Sequence, residues 1–356
     1  MFQEESFFHP AAFPGMVMDR VRVAGAGLAG LFAALRLAEG GRSVEIVDVK
    51  NRIAPSSGPH SEALRDYVGT EALAELRRYG FDLEPFGTIE TTVRKSARYE
   101  NVLRGRAYHL FLRGRDPNTV DQELYRRCLE AGVKFTFGSR WNPGEPIDIA
   151  AAGPPSGEFN ILGAGFTFSS DGSNLEKHTA FALLDNDVAP GGYLVVTPGI
   201  EYHSIYSVSW GELDYDRLLR MTEAGAARPW VREILGSSRR LGRIYGRAFY
   251  APDPIARAEI NGVRYIGEAG GFQDAIAGFG FRYAILTGSL AAKSILEGLS
   301  YHDLLQATFR EEFAIASGIR EKLNRFTNED LDRLVESMGP SMSVDQYRHH
   351  RAARFL

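Results

Sequence analysis

The sequence predicts an α/β fold in which a parallel sheet flanked by helices is joined to a second, antiparallel sheet. Two glycine-rich turns, one near the start of the chain and one after residue 263, each lie between a buried strand and a helix. Between these turns, residues 200–210 alternate apolar and polar side chains, which is typical of a strand with one buried face. The chain is therefore expected to contain two packed units.

Composition excludes several functional classes. Of the 356 residues, 44% are hydrophobic and 24% are charged, and the formal net charge of −4 argues against nucleic-acid binding. The single cysteine, Cys128, excludes an internal disulfide framework, a Cys-x-x-Cys redox pair and a multi-cysteine metal site. No apolar run reaches the roughly 18 residues that span a bilayer, and no metal motif such as H-E-x-x-H is present. We expect a cytoplasmic protein.

The first glycine-rich turn has the spacing and surroundings of a dinucleotide-binding motif. It lies between a strand at Val21–Ala24 and a helix, and the next strand, 43–47, ends in Asp48. Its G-x-G-x-x-G pattern contains Gly25, Gly27, Leu28, Ala29 and Gly30. The three glycines allow a tight turn, close approach to a pyrophosphate and close helix–strand packing, and Asp48 stands where a carboxylate binds ribose hydroxyls. The alternative is a glycine turn without a ligand.

The second glycine-rich loop distinguishes between NAD and FAD, which share the first motif. A strand at Val263–Gly267 ends in Glu268, and a helix is predicted from about Phe281 to Leu296. Small residues recur at every fourth position of this helix, at Ala284, Gly288 and Ala292. Such a stripe lets a helix pack close to another backbone.

This region resembles FAD-dependent oxidoreductases of the geranylgeranyl reductase family, which are related to the aromatic-hydroxylase-type flavoproteins. The segment GGFQDAIAGFGFRYAI matches the family loop at Gly271, Phe272, Gly278, Gly280 and Ala284. The resemblance extends over about residues 20–300. It implies FAD as the cofactor, with Glu268 at the ribityl chain and a loop at the pyrimidine end of the flavin that comprises Gly278, Phe279, Gly280 and Phe281.

The resemblance also suggests an arginine for the FAD phosphates, and Arg113 is the candidate; an exposed arginine at a strand end is the alternative. Two departures from the family pattern lie in the second loop. Glu268 is one methylene longer than the family's Asp, which is expected to shift the ribityl contact; a solvent-facing strand end is its alternative. Ala275 replaces a proline, which is expected to loosen the loop.

The middle of the chain is expected to supply the substrate side. The run 189–199 resembles the reductase substrate-domain signature at Tyr193 and Pro198 but lacks its Trp and Phe. The next strand places several large side chains on one face: Ile200, Tyr202, Tyr206, Val208 and Trp210. This face either forms one wall of an apolar pocket or packs against the domain's own helix at 213–221. Tyr193 and Tyr206 are the candidate catalytic residues.

The implied fold is a Rossmann-type FAD-binding domain of the glutathione-reductase-like class with an inserted antiparallel substrate domain and a helical C-terminal tail. The predicted FAD-binding segments are residues 18–80, 106–172 and 255–300, and the predicted substrate domain comprises residues 81–105 and 173–254. A strand at 160–165 is expected to return to the FAD-binding domain beside the cofactor.

The two ends of the chain carry further expectations. Residues 301–356 are predicted to form the helical tail, with apolar positions at Phe309, Phe313 and Ile315. The basic end of the tail, with Phe355 and Leu356, either touches an anionic membrane surface or is solvated or packed. Residues 1–17 either form a packed arm or precede a start at Met18.

The expected reaction is reduction of a carbon–carbon double bond in an apolar, isoprenoid-like small molecule or lipid by hydride transfer from reduced FAD. The first alternative is a flavin-dependent monooxygenase that hydroxylates an apolar or aromatic small molecule. The second is a flavin-binding protein without catalysis. Since no second complete G-x-G-x-x-G unit is present, the electron donor is expected to be transiently docked NAD(P)H, ferredoxin or another reduced flavin.

Overall fold

The computed structural model describes residues 20–53, 60–65, 71–141, 145–154, 158–200 and 202–350. The expectations for residues 1–17 and for Phe355 and Leu356 concern positions outside these ranges. None of the helices in the described ranges is long and apolar enough to cross a bilayer.

The strands of the described ranges are, in chain order, β1 Val21–Ala24, β2 Val44–Asp48, β3 His60–Arg65, β4 Gly87–Lys95, β5 Glu100–Arg113, β6 Lys134–Phe137, β7 Ile149–Ala150, β8 Ile161–Ser169, β9 Thr179–Leu183, β10 Tyr193–Thr197, β11 Tyr202–Ser209, β12 Arg240–Ala248, β13 Glu259–Ile260, β14 Val263–Tyr265 and β15 Ser341–Ser343.

The α-helices of the same ranges are α1 Leu28–Glu39, α2 Ala72–Arg78, α3 Val120–Glu130, α4 Tyr215–Ala226, α5 Pro229–Leu235, α6 Phe281–Glu297, α7 Tyr301–Leu323, α8 Asn328–Ser337 and α9 Val344–His349. The first strand and helix follow the predicted order, and α6 begins at the predicted residue.

A six-stranded sheet contains the first glycine-rich turn. Its strand order is β13-β14-β7-β1-β2-β6, and all neighbours are parallel except β13 and β14. From β1 the chain proceeds outward on one side through β2 and β6 and then returns to β7 on the other side of β1. In open parallel sheets, the crevice at the carboxyl ends of the strands at such a reversal is where ligands bind.

The helices on this sheet pack as the small-residue stripe predicts. Helix α1 packs against α3 and α6. A Cβ atom on Gly288 of α6 would lie 2.9 Å from the carbonyl oxygen of Ala29, so α6 approaches the backbone of α1 closely. This contact fixes the first turn of α1 next to the helix that follows the second glycine-rich loop.

A nine-stranded sheet forms the second layer. Its order is β12-β8-β11-β10-β9-β4-β5-β15, and β3 also pairs with β5. Neighbours are antiparallel except the pairs β4–β9 and β5–β15. Helices α4 and α5 cover one face, where apolar residues of β8, β10 and β11 are buried. The molecule is therefore a mixed α/β protein with one largely parallel sheet and one large, largely antiparallel sheet.

Two predictions about elements are wrong. The strand that follows residue 160 does not return to the parallel sheet: β8 pairs with β11 and β12 in the nine-stranded sheet. A Cβ atom on Gly165 would lie 2.1 Å from the carbonyl oxygen of Ile205, so the glycine allows this close pairing. The returning strand is β7, whose two residues are too short a run to give a sequence signal.

The tail is not helical throughout. Its helices α7, α8 and α9 confirm the main expectation, and Phe309 and Phe313 are buried in the core. However, β15 adds a parallel edge strand to β5, and Ile315 is 45% exposed. The predicted domain boundaries remain a prediction, although β5 crosses the boundary placed between residues 105 and 106.

Candidate functional site

A cavity of about 500 Å³ lies where the chain reverses between β1 and β7. Of the twelve residues predicted to bind the cofactor, eight line it: Gly25, Gly27, Leu28, Ala29, Asp48, Arg113, Glu268 and Gly280. Residues from the first turn, the end of β2, the end of β5 and the second loop thus meet at one place. We refer to this space as the dinucleotide cavity.

The glycines of the first turn differ in what surrounds them. Gly25 has φ +105°, and a Cβ atom there would lie 2.3 Å from the carbonyl oxygen of Ala151. A Cβ atom on Gly30 would lie 2.0 Å from the carbonyl oxygen of Gly25. Gly27 lines the cavity, and a Cβ atom there would have no neighbour within 4 Å. The backbone packing around Gly25 and Gly30 therefore leaves no space for a side chain, whereas the absence of a side chain at Gly27 leaves space inside the cavity.

Two helix N-termini contribute to the dinucleotide cavity. Gly27 is the N-cap of α1 and Gly280 is the N-cap of α6, and neither helix has a side-chain cap. The first backbone N–H groups of a helix have no partner within it, and the helix dipole makes this end partly positive. The N-termini of α1 and α6 therefore both favour a bound anion, such as a pyrophosphate or a negatively charged ring of a ligand.

Asp48 joins the end of β2 to the first turn. Its Oδ2 accepts a hydrogen bond from the Ala26 N–H at 2.6 Å, and its Oδ1 accepts one from the Lys50 N–H at 2.7 Å. A carboxylate oxygen accepts at two lone pairs, so each oxygen retains one site for a ligand hydroxyl. The position agrees with a ribose contact, which remains a prediction.

Arg113 lines the dinucleotide cavity, but its guanidinium binds two carboxylates. It donates to Asp121 from Nε at 2.9 Å and from Nη2 at 2.8 Å, and it forms an ion pair with Glu62. Burial alone would raise the pKa of Asp121, but the charge and hydrogen bonds of Arg113 lower it below its ordinary value. The assignment of Arg113 to the FAD phosphates therefore remains a prediction, in which the cofactor would compete with Glu62.

Glu268 turns its side chain back toward β12. Its Oε1 accepts a hydrogen bond from the Phe249 N–H at 2.8 Å. Burial is the main cause that raises the pKa of Glu268 to about 7; the hydrogen bond from the Phe249 amide lowers it in part, and the nearby charge of Glu62 raises it by less than that bond lowers it. At neutral pH this carboxyl group is thus partly ionised and partly protonated. The ionised form only accepts hydrogen bonds, and the protonated form can also donate one.

The remaining predicted cofactor residues lie elsewhere. Gly30 packs inside the first turn, and Gly278, with φ +76°, lies under the ring of Trp210. The side chain of Phe281 is in the core, where it stacks on Phe111 with ring centroids 4.6 Å apart. Phe279 lines a second cavity.

The second cavity is apolar and has a volume of about 110 Å³. It lies on the face of the nine-stranded sheet that α4 does not cover, and both candidate tyrosines, Tyr193 and Tyr206, line it. Helix α4 packs on the opposite face, where the Thr222 hydroxyl donates to the Ser207 hydroxyl. The face that carries Tyr206 is therefore a pocket wall, although Ile200 is 56% exposed and lies outside the pocket.

The two cavities share a wall. On β3, Glu62 lines the dinucleotide cavity, and Ala63 and Arg65, which point the other way, line the apolar cavity. In the second loop, Gln273 and Gly280 line the dinucleotide cavity, whereas Ile276, Ala277 and Phe279 line the apolar cavity. Strand β3 and the second loop therefore contribute residues to both cavities.

The second loop is held by residues from distant elements. Asp274 accepts hydrogen bonds from the Ile276 and Ala277 N–H groups and forms a buried ion pair with Arg65 at 3.1 Å. Arg320 of α7 donates to the carbonyl oxygens of Ala275 and Ile276, both at 3.4 Å. The Tyr193 hydroxyl donates to the Ala277 carbonyl oxygen at 2.6 Å. These contacts connect the second loop to β3, β10 and α7, and the loosening expected from Ala275 remains a prediction.

Sequence reasoning did not identify Arg65 or Arg320 as parts of the site. Arg320 donates to Gly191 at 2.6 Å and its guanidinium lies 4.3 Å from the Trp210 ring centroid. Each of these residues lies in a separate segment and belongs to no local motif. Their role depends on which elements become neighbours in space.

Several flavin-dependent proteins of known structure have a similar fold. A geranylgeranyl bacteriochlorophyll reductase-like protein from Thermoplasma acidophilum aligns with TM-score 0.70 and 16% identity over 90% of this chain and 92% of that chain. A flavoprotein/dehydrogenase from Cytophaga hutchinsonii aligns with TM-score 0.62 and 18% identity over 95% and 92%. A 2-methyl-3-hydroxypyridine-5-carboxylic acid oxygenase aligns with TM-score 0.51 and 14% identity over 94% and 96%.

The sequence matches no family model and no curated protein. The resemblance predicted from the two glycine motifs is confirmed at the level of the fold, because the chain has the fold of flavoprotein oxidoreductases, a geranylgeranyl reductase-like protein among them.

Proposed function

We propose that this chain is an FAD-dependent oxidoreductase that reduces a carbon–carbon double bond of an apolar, isoprenoid-type substrate. The observation that carries the proposal is the shared wall: a cavity with dinucleotide-binding features and an apolar cavity are both lined by β3 and the second loop. The similarity in fold to a geranylgeranyl bacteriochlorophyll reductase-like protein supports this reaction class.

Several residues that line the dinucleotide cavity support FAD as the cofactor. The space at Gly27, which a Cβ atom would occupy, suits a pyrophosphate beside the first turn of α1. Asp48 would accept from the ribose hydroxyls, Glu268 would contact the ribityl chain, and the N-terminus of α6 would face the pyrimidine end of the ring. When bound and reduced, FAD supplies the hydride for the reaction.

The protein would supply orientation and a proton. Of the two candidate tyrosines, Tyr193 already donates to the Ala277 carbonyl oxygen, so Tyr206 is the better proton donor. Burial, together with the charge of Glu62, raises the pKa of Tyr206 to about 12, which keeps its proton in place until a carbanion-like centre develops. The apolar walls would exclude water from the reacting carbon.

We also propose the domain layout and the setting of the reaction. The six-stranded sheet would be an FAD-binding domain of the glutathione-reductase-like class, and the nine-stranded sheet the inserted substrate domain, with β3, β8 and the whole of β5 in the latter. The electron donor would be NAD(P)H, ferredoxin or another reduced flavin, and the protein would act in the cytoplasm, at a membrane surface when its substrate is a lipid.

A flavin-dependent monooxygenase is the second candidate, since an oxygenase shares the fold. The absorption spectrum of the purified protein tests the cofactor: bands near about 370 and 450 nm and released FAD are expected. A protein that is colourless and takes up no FAD would contradict both candidates.

Turnover of the reduced enzyme separates the two reactions. A reductase should be reoxidised by a prenyl substrate without oxygen, more slowly in Tyr206→Phe than in the wild type, and Ile200→Ala, an exposed residue of the neighbouring loop, should behave as the wild type. Substrate-dependent oxygen consumption, with no anaerobic reoxidation, would identify the monooxygenase instead.

A further inference from the structure

Arg94 is a buried cation inside the apolar cavity. It lies on β4, is 3% exposed and lines the cavity next to the second loop. Its Nη1 has no hydrogen-bond partner among the described residues, and no carboxylate there lies within ion-pair distance of it. Its guanidinium instead lies over the ring of Tyr347, 4.4 Å from the ring centroid.

The other arginines of this cavity are engaged. Arg65 forms its ion pair with Asp274, and Arg320 donates to the carbonyl oxygens of the second loop and of Gly191. None of the described residues that line the cavity is an aspartate or a glutamate. Since an arginine stays protonated inside proteins, the charge of Arg94 is uncompensated, and burying such a charge is costly unless a ligand neutralises it.

Thr92 gives the cation a neighbour on the same strand face. Residues two apart on a strand point to the same side, and both Thr92 and Arg94 line the cavity. Thr92 is 5% exposed, and its Oγ1 has no hydrogen-bond partner within the part of the chain that is described. Arg94 and Thr92, each with one buried polar atom that has no partner among the described residues, therefore line the same apolar cavity.

We propose that the substrate of the apolar cavity carries a carboxylate, which Arg94 and Thr92 bind while its apolar body lies against Ile276, Ala277 and Phe279. This inference rests on the proposed function, because it places the carboxylate of the substrate in the cavity that adjoins the flavin. A planar guanidinium donates to a carboxylate in a bidentate manner. A cavity of about 110 Å³ suits a small hydrocarbon body, since a cavity of about 150 Å³ holds benzene.

The test is a calorimetric titration of the purified full-length protein with three six-carbon probes: hexanoate, 1-hexanol and hexyl phosphate. Hexanoate is expected to bind on the order of 10²-fold more tightly than 1-hexanol. In Arg94→Met the affinity for hexanoate should fall to that for 1-hexanol, and Arg94→Lys should retain part of the difference. Arg104→Met, an exposed arginine on the neighbouring strand β5, is the matched control and should bind as the wild type.

Thermal denaturation without a ligand gives a second measurement. It distinguishes an Arg94 kept for a ligand from an Arg94 that stabilises the fold, because the two predict opposite changes in melting temperature. If Arg94 is kept for a ligand, Arg94→Met removes an uncompensated buried charge and should raise the melting temperature. A lowered melting temperature, or equal binding of hexanoate and 1-hexanol by the wild type, would overturn the proposal. Tighter binding of hexyl phosphate than of hexanoate would overturn the proposal that the substrate carries a carboxylate and would indicate a phosphate monoester instead.

The flavin spectrum of the same samples separates this inference from the proposed function. Hexanoate binding that depends on Arg94 in a protein that takes up no FAD would contradict the proposed function and leave the anion site in place. Flavin uptake and turnover of a neutral prenyl substrate, with no effect of Arg94→Met, would support the function and overturn the anion site.

Discussion

At the scale of single residues, Gly27 shows how a missing side chain makes room for a ligand. Its neighbours Gly25 and Gly30 are fixed by the protein itself, because a Cβ atom on either would overlap backbone atoms. Gly27 has φ −80° and ψ −179°, a conformation open to any residue, and its Cβ position is free of neighbours. The protein alone does not require glycine there.

Gly27→Ala is therefore expected to separate stability from cofactor binding. The free energy of unfolding should stay the same or rise by about 0.4–1 kcal/mol, because alanine reduces the freedom of the unfolded chain. FAD affinity, measured by fluorescence titration, should fall at least about tenfold, because the methyl group occupies the pyrophosphate position. Gly318→Ala, at an exposed position of α7 with open space around it, should stabilise the protein without changing FAD affinity. Equal FAD affinity of Gly27→Ala and wild type would contradict the placement of the phosphates.

Glu268 makes the flavin-free protein sensitive to pH. Its folded-state pKa of about 7 is raised above the ordinary value, so its contribution to stability is fully present below about pH 4.5 and is lost as the pH rises through 7. Urea denaturation should give a free energy of unfolding about 1–3 kcal/mol lower at pH 8 than at pH 5 from this group. Glu268→Gln should lack this loss, and Glu259→Gln, an exposed residue of β13, should retain it. Identical pH dependence in wild type and Glu268→Gln would show that the carboxyl group is not desolvated.

At the scale of elements, the second glycine-rich loop depends on a helix more than forty residues further along the chain. Arg320 is 1% exposed and contacts three carbonyl oxygens, two in this loop and one at Gly191. The sequence of the loop was sufficient to predict its strand–loop–helix context and its resemblance to a family. It carries no information about α7, because the arginine becomes a neighbour only through tertiary packing.

Arg320→Met is expected to leave these three carbonyl oxygens without their donor. The free energy of unfolding should fall by about 2–4 kcal/mol, since buried groups left without partners cost about 1–3 kcal/mol each and some regain water. Hydrogen exchange of the amides at 274–280 should accelerate more than that of α1. The loop loses the hydrogen bonds from Arg320, so it unfolds locally more easily than the sheet does. Arg310→Met, an exposed arginine on the same helix, should change neither quantity. Uniform acceleration across the protein would indicate a general loss of stability instead.

The same scale explains the error about β7 and β8. A nine-residue apolar strand such as β8 gives a clear signal of strand structure but none of the sheet to which it belongs. The strand that does complete the parallel sheet has two residues, and it is positioned by a backbone hydrogen bond from the Ala151 N–H to the Ala24 carbonyl oxygen at 2.6 Å. Short strands of this kind depend on their neighbours and not on their own residues.

At the scale of the whole molecule, the two glycine motifs predicted the fold and seven residues of the dinucleotide cavity, because each motif is local and physically constrained. The apolar cavity was predicted only as one of two alternatives for a strand face. Its walls come from six strands, two loops and two helices of the tail, among them Ala63, Thr92, Ala180, Arg320 and Leu331. No single segment contains enough of these residues to reveal the pocket.

Helices α2, α6 and α7 are joined at Arg282, which makes this residue a test of the packing of the whole molecule. Arg282 is 5% exposed at the start of α6; it donates to Glu75 of α2 at 2.8 Å and to Glu312 of α7 at 2.9 Å. Removing one partner of a buried ion pair leaves uncompensated charge, so Arg282→Met should lower the free energy of unfolding by about 3–5 kcal/mol. Arg282→Lys should lose less, and Lys293→Met, on the exposed side of α6, should stay within about 0.5 kcal/mol of the wild type. The measurement is urea denaturation. If Arg282→Met lowers the free energy of unfolding by less than about 1 kcal/mol, apolar contacts hold the three helices together. The ion pairs of Arg282 would then not be what fixes the start of α6 beside the dinucleotide cavity.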